Sequence, residues 1–170
     1  MDGFTRMDGA MPEPRSGAGI QRLHDSAPEQ LFRRFMQEFG GGVRQEFTSV
    51  VGELLIDDAM FRQKRRASWK ILKGERAAWL LHTAFGIKSP DEIWVSNAPA
   101  SEFERLHFLS RFVLGPREYG LLGCVSIFER MRGRDGFWGG VTNFATTDQT
   151  YVQKIRAKDG MRNVYRRRGC

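Results

Sequence analysis

The stretch GFWGGVTNFATTDQTYVQKIRAKDGMRNVYRRR, Gly136 to Arg168, decides how the chain is read. It parses as strand, helix, strand. From Phe137 to Phe144 the residues alternate, with Trp138, Thr142 and Phe144 on one side and Val141 and Asn143 on the other, which is the two-residue period of a strand. Thr146, followed three residues later by Gln149, fits a capping box: the hydroxyl takes a free backbone N–H and the amide reaches back. Tyr151, Val152 and Ile155 then fall at helical spacing and make an apolar stripe suited to packing on a sheet. Gly160 stands just past that helix, where a left-handed residue can end it. Met161 to Arg167 closes as a strand with Val164 and Tyr165 among arginines, an edge that charge keeps soluble.

Working outward, Glu104 to Leu114 is the clearest strand. Leu106, Phe108, Phe112 and Leu114 lie on one face, and Arg105, His107 and Arg111 on the other. Tyr119 to Arg130 is the next strand, and Arg132 to Gly136 is a basic turn ending in Asp-Gly, a reversal signal. Glu92 to Ser96 reads as a strand after the Ser89-Pro90-Asp91 turn. Glu75 to Phe85 reads as a helix that Gly86 ends. Gln45 to Val50 and Glu53 to Ile56 bracket Val51-Gly52 as a small hairpin, and Asp57-Asp58 caps a short helix holding Met60 and Phe61. Ser26 and Pro28 open a first helix with Leu31, Phe32, Phe35, Met36 and Phe39 on its apolar face, stopped by Gly40-Gly41-Gly42.

Residues 1–26 are rich in Gly, Pro, Ser and Asp and read as a disordered lead or linker, leaving 27–170 as a single domain. Helices gathered before a run of strands predict an α+β fold, with N-terminal helices packed on a central antiparallel sheet of about four to five strands.

The formal charge of +7 on 170 residues draws polyanions: nucleic acid, an anionic surface or an acidic protein. The sequence holds no apolar run near 18 residues, so no spanning helix is expected, and the first 20 residues lack the apolar core of a signal peptide. Cys124 reads as core and Cys170 as a free terminal thiol, which fits a reducing, cytoplasmic setting. His24, His82 and His107 are far apart and no Cys-x-x-Cys occurs, so neither metal nor cofactor is expected. No nucleotide-binding glycine fingerprint and no Gly-x-Ser-x-Gly is present. Adjacent acids such as Asp91-Glu92 point apart on a strand, which disfavours a two-carboxylate mechanism.

A basic surface with hydroxyls, a histidine and aromatics remains. That set suits metal-free RNA cleavage, in which the ribose 2′-hydroxyl attacks its own phosphate while cations stabilise the growing charge. His107, flanked by Arg105 and Arg111, is a candidate acid or base, and the alternative is a surface histidine. Arg111 is a candidate phosphate contact. Lys73 and Arg76 open a helix, where backbone N–H groups also favour an anion. Lys73 belongs to a basic run, Arg62 to Arg76 with Trp69 inside it, whose bland reading is a solvated loop. Thr142 can donate to a phosphate, Glu92 can act as a base or as a strand-edge ion pair, and Tyr165 with Arg166 can stack on and bind RNA.

These residues also fall in a familiar order. Gly52-Glu53-Leu54-Leu55-Ile56, Leu72-Lys73-Gly74-Glu75-Arg76, Pro90-Asp91-Glu92-Ile93-Trp94, His107-Phe108-Leu109-Ser110-Arg111-Phe112, Trp138 to Phe144 and Asn163-Val164-Tyr165-Arg166-Arg167 resemble the phage-associated branch of the barnase–EndoU–colicin–RelE-like (BECR) nucleases. That domain is found at the C-terminus of Mu-type minor head proteins and in polymorphic toxins, and the resemblance spans about residues 45–168. It implies an α+β fold and a metal-independent RNase acting as a phage-linked or toxin-like effector. It carries over Lys73, Glu92, Arg111, Thr142 and Tyr165 as catalytic candidates, and Arg76, Trp94, Arg156 and Arg166 as substrate contacts. Arg167 joins them from the closing motif and Arg105 from its place beside His107, while the resemblance does not support His107 itself. The implied partners are RNA, with tRNA as one candidate, and an acidic immunity protein or phage head components. The implied location is the cytoplasm of a target or host bacterium, or the virion, with no membrane role. A non-catalytic nucleic-acid-binding or head-associated protein on the same fold is the alternative.

Overall fold

In the computed structural model, which describes residues 9–25, 27–63, 66–96, 104–115 and 120–169, the elements follow in this order. They are β1 (Arg15–Ser16), α1 (Pro28–Gln37), β2 (Arg44–Ser49), β3 (Gly52–Asp57), β4 (Arg62–Gln63), β5 (Arg66–Trp69), α2 (Leu80–Lys88), β6 (Glu92–Ser96), β7 (Arg105–Val113), β8 (Leu121–Arg130), β9 (Phe137–Thr146), α3 (Gln149–Ala157) and β10 (Met161–Arg166). Two 3-10 turns, Asp58–Phe61 and Arg76–Trp79, join them. Ser26, Lys64 and Arg65 of the basic run, the loop at 97–101, Tyr119 and Cys170 lie outside the described residues.

The strands order as β10-β6-β7-β8-β9-β3-β2, with β1 parallel to the end of β7, and β4 pairs with β5 separately. Alternation along β6, β7 and β8 puts apolar residues on both faces, so both faces must be covered. On one face Ile93, Val95, Leu106, Phe108 and Phe128 pack with Leu31, Phe35 and Met36 of α1 and Leu80, Leu81 and Ile87 of α2. On the other, Trp94, Leu109 and Val125 pack under Val152 of α3. α1 is amphipathic and ends where Gly40, Gly41 and Gly42 take positive φ, a region that only glycine enters without strain. α2 is buried nearly all round, as a helix between a sheet and a second helix must be.

The fold is α+β as expected, but the sheet is larger than four to five strands and is mixed. Among the described residues it has eight strands. The β2–β3 hairpin forms as expected and then joins β9 in parallel, Glu53 opposite Phe137 and Leu54 opposite Trp138. Pairing between segments so distant in sequence leaves no local pattern to read. Residues 9–25, expected as lead or linker, run against the sheet: Met11 and Leu23 are buried and β1 pairs with Phe112 and Val113.

Smaller differences have equally local causes. Gly86 lies inside α2 and not at its end; a Cβ there would come within 3.1 Å of Ser110 Oγ, so its role is close packing on β7 and not helix termination. The N-cap of α1 is Ala27, which makes no side-chain bond. Asp148, not Thr146, caps α3 by accepting from Thr150 N at 3.0 Å, and Thr146 Oγ1 accepts from Asp148 N one step earlier. Asp57 does cap the Asp58–Phe61 turn. A bulge at Val141 shifts the pairing from Phe128–Gly140 to Ile127–Thr142. Trp138 therefore joins the helix-covered core while Phe144 joins the core under α3, although plain alternation puts them on one face.

α3 comes close to the sheet because β8 carries Gly123, whose absent Cβ would lie 2.8 Å from Val152 Cγ2. Gly123→Val is expected to destabilise the fold by about 1–3 kcal/mol through overpacking and to displace α3. Denaturant midpoints would check it, and an unchanged midpoint would contradict this packing.

Candidate nucleic-acid interface

On the α3 face the pairing registers set side chains in rows. One row runs Arg166, Glu92, Leu109, Val125, Phe144; the next runs Trp94, His107, Ile127, Thr142; a third runs Arg111, Gly123, Thr146. α3 crosses the middle. Its Arg156 reaches toward β6, with the guanidinium 5.7 Å from the Trp94 ring, and its Tyr151 reaches toward β9, edge-on to Phe144 at 5.2 Å. The face is thus divided into two flanks.

The first flank centres on Glu92, which is fully buried. One of its oxygens accepts from Arg156 Nε at 2.7 Å and from Trp94 Nε1 at 3.3 Å; the other accepts from Arg166 Nε at 2.7 Å and from Arg156 Nη2 at 3.4 Å. A buried carboxylate survives only when paired and hydrogen-bonded in this way. Asp91, also fully buried, gathers a different set. It accepts from Arg111 N at 2.8 Å and Arg167 Nε at 2.8 Å, and pairs with Arg15 Nη2 at 3.3 Å. The two neighbouring acids serve separate partners, as strand geometry requires.

Arg111 stands beside a cleft it lines with Gly123, Asp148, Val152 and Gln153. Its Nη2 donates to Pro12 O at 3.0 Å, while its Nε is buried without a hydrogen-bond partner among the described residues; Arg166 Nη2 is in the same condition. Unsatisfied buried N–H groups are rare and costly. Each of these two guanidiniums thus keeps an N–H that an anion could accept from.

The second flank holds Arg76, Thr142 and Lys70. Lys70 Nζ donates to Thr142 Oγ1 at 3.5 Å, and the Arg76 guanidinium lies 5.4 Å from the Phe144 ring centre. Burial lowers the Arg76 pKa, partly offset by Tyr151. Lys73 is exposed on the turn between these residues. Tyr165 faces the helix-covered core and not the groove that its neighbour Arg166 enters. Arg105 is engaged by Glu129, with Nε at 2.9 Å and Nη2 at 2.6 Å from one oxygen. His107 lies between Trp94 and Ile127. Burial pushes its pKa down to about 4, a bond with the Trp94 backbone opposes this, and Arg105 and Lys158 add to the depression. It is therefore neutral at pH 7.

Sequence reasoning thus named Glu92, Trp94, Arg111, Arg156, Arg166 and Arg167, which the fold brings to one flank. It missed Asp91 as an organising group, and it missed Arg15. The signal for Asp91 was an Asp-Glu pair leading into a strand too apolar to leave both acids in water.

Residues 30–165 match the model of the family described as phage-Barnase-EndoU-ColicinE5/D-RelE like nuclease2. No curated protein and no solved structure matches the chain. Among the described residues, no helix is long and apolar enough to cross a membrane.

Glu92→Ala leaves two guanidiniums facing each other over an apolar floor. It is expected to cost about 3–5 kcal/mol, read as a lower denaturant midpoint; a loss within experimental error would contradict the ion-pair account. His107 gives a pH signature. Its folded pKa of about 4 lies below the unfolded value near 6.5, so between those values the unfolded chain binds the extra proton. Stability is expected to fall as pH drops through that window, by up to about 1.4 kcal/mol per pH unit. His107→Phe should flatten the fall in midpoints measured at pH 7, 5 and 4, and parallel curves would contradict the assignment.

Proposed function

The chain belongs to this nuclease family, and on that premise we propose that it is a metal-independent endoribonuclease that cuts RNA at the Glu92 flank. The observation that carries the reading is the two unpartnered guanidinium donors, Arg111 Nε and Arg166 Nη2, together with the fixed orientation that Glu92 gives Arg156 and Arg166. Guanidiniums locked in position before a phosphate arrives can stabilise the charge that develops on it at little reorganisation cost. The 2′-hydroxyl gives its proton to solvent as its oxygen attacks phosphorus, the bond to the 5′-oxygen breaks and that oxygen takes a proton from solvent, and the products carry a 2′,3′-cyclic phosphate and a 5′-hydroxyl. Glu92 is a positioning residue in this scheme, since N–H donors occupy both its oxygens. Arg111, Arg156 and Arg166 contact the phosphate, and the aromatic and basic flank of Arg76, Thr142 and Phe144 extends the track for the strand. The substrate class is RNA with exposed bases, tRNA loops included. A net charge of +7 also suits an acidic immunity protein or a head component as partner, and the cytoplasm of the target or host cell is where such a substrate lies.

A second reading, nucleic-acid binding without turnover, is favoured by two observations: both oxygens of Glu92 are occupied, and burial holds the His107 pKa well below neutrality. One experiment separates the two. Incubated with tRNA in excess EDTA, the wild type is expected to yield fragments ending in 2′,3′-cyclic phosphate. Arg111→Ala and Arg166→Ala should each lower the rate by roughly 10²–10³, and Lys73→Ala should stay near wild type. Salt-sensitive binding with no fragments would establish the second reading, and equal rates for all variants would refute this site.

A further inference from the structure

The arginines of the Glu92 flank already hold a ligand, and it is the chain's own N-terminal segment. Arg156 Nη2 donates to Gly9 O at 2.7 Å, Arg111 Nη2 to Pro12 O at 3.0 Å and Arg167 Nη2 to Glu13 O at 2.8 Å. Three carbonyl oxygens along one short strap thus accept from three guanidiniums along one groove. The strap's composition suits this. Pro12 and Pro14 have no N–H, so this stretch presents acceptors and few donors, as a phosphodiester backbone does. Met11 of the same segment is buried with Trp94, Leu109, Val125 and Val152, filling an apolar pocket one step from the guanidiniums. Gly9 passes so close to Arg166 that a Cβ there would lie 1.7 Å from its Nη1, so a larger residue would push that guanidinium aside.

The strap is anchored at one end. Arg15 donates through Nη1 to Ser89 Oγ at 2.8 Å and through Nη2 to Ser89 O, pairs with Asp91, and lies 4.8 Å from the centre of the Phe85 ring. Arg15 and Ser16 pair with β7, and Gly17 N donates to Val113 O at 2.9 Å. Upstream of Arg15, the strap is held chiefly by the three carbonyl bonds and by Met11.

We propose that residues 9–16 are an internal competitor of RNA: their carbonyls take the positions of phosphate oxygens on Arg111, Arg156 and Arg167, and Met11 takes the place of a nucleobase. This rests on the reading of the flank as an RNA site. A phosphate brings full negative charge to the same donors, so its charge-assisted bonds are stronger than those of a neutral carbonyl. RNA displaces the strap at a cost, and apparent affinity falls by the fraction of molecules with the strap open. The pocket under Met11 is correspondingly assigned as the base-stacking subsite beside the phosphate track.

The test uses the full chain and a single-stranded 2′-O-methyl RNA oligonucleotide, which lacks the attacking hydroxyl. Hydrogen exchange at residues 9–16 is expected to rise when this RNA binds, while exchange along β10 slows. Met11→Ser should open the strap, seen as faster exchange at 9–16 with the sheet still protected, and should bind the oligonucleotide roughly tenfold tighter. A synthetic peptide of residues 9–16 added in trans should reverse that gain. An opened strap with no gain in affinity, while Arg156→Ala weakens binding, overturns the strap's role and leaves the RNA site standing. A strap that stays protected with RNA bound overturns it equally. Absence of binding by wild type and Met11→Ser alike overturns the RNA site and the strap's role together.

Discussion

Two adjacent carboxylates, Asp91 and Glu92, enter the sheet at the start of β6 with no exposure to water, and the basic surface is arranged around them. Ionised groups can occupy such positions only if cations and N–H donors surround them. Glu92 draws Arg156 from α3 and Arg166 from β10. Asp91 draws Arg167 from just past that strand, Arg15 from the N-terminal segment and the backbone of Arg111 in β7. Segments from both ends of the chain meet at one dipeptide. The cost of burying two acids becomes the means of holding several guanidiniums in fixed orientations.

That arrangement explains why the groove is cationic yet ordered. Long arginine side chains in water are mobile and lose entropy when they bind. Arg156 and Arg166 use their Nε–H groups on Glu92, so their planes are set and other donors are left for a ligand. Arg105 shows the contrast: Glu129 takes both its Nε and its Nη2, so it serves the sheet. α3 completes the division of labour by packing Val152 onto Gly123 and turning its last-turn Arg156 toward β6.

Much of this is legible in the sequence, where the signal is local. Glu92 to Ser96 needed only its apolar run after a proline turn, and the placing of His107 with Arg111 needed only strand alternation. The Asp57 cap and the β2–β3 hairpin were equally short-range. What could not be read depended on distance or on one inserted residue. The bulge at Val141 separated Trp138 from Phe144, the parallel join of β3 to β9 enlarged the sheet, and an N-terminal segment with a linker's composition lay across the groove. Tyr165 shows the limit within the site: it shares a motif with Arg166, but alternation sends the two to opposite faces.

The central claim is that Glu92 holds arginines ready for a phosphate backbone. Its most direct test is an NMR titration of the arginine Nε–H resonances with a 2′-O-methyl RNA oligonucleotide. The account predicts that the signals of Arg111, Arg156 and Arg166 shift together with one affinity, while that of Arg105, held by Glu129, does not move. Shifts confined to arginines away from β6 and β10, with Arg111 and Arg166 unmoved, would contradict it.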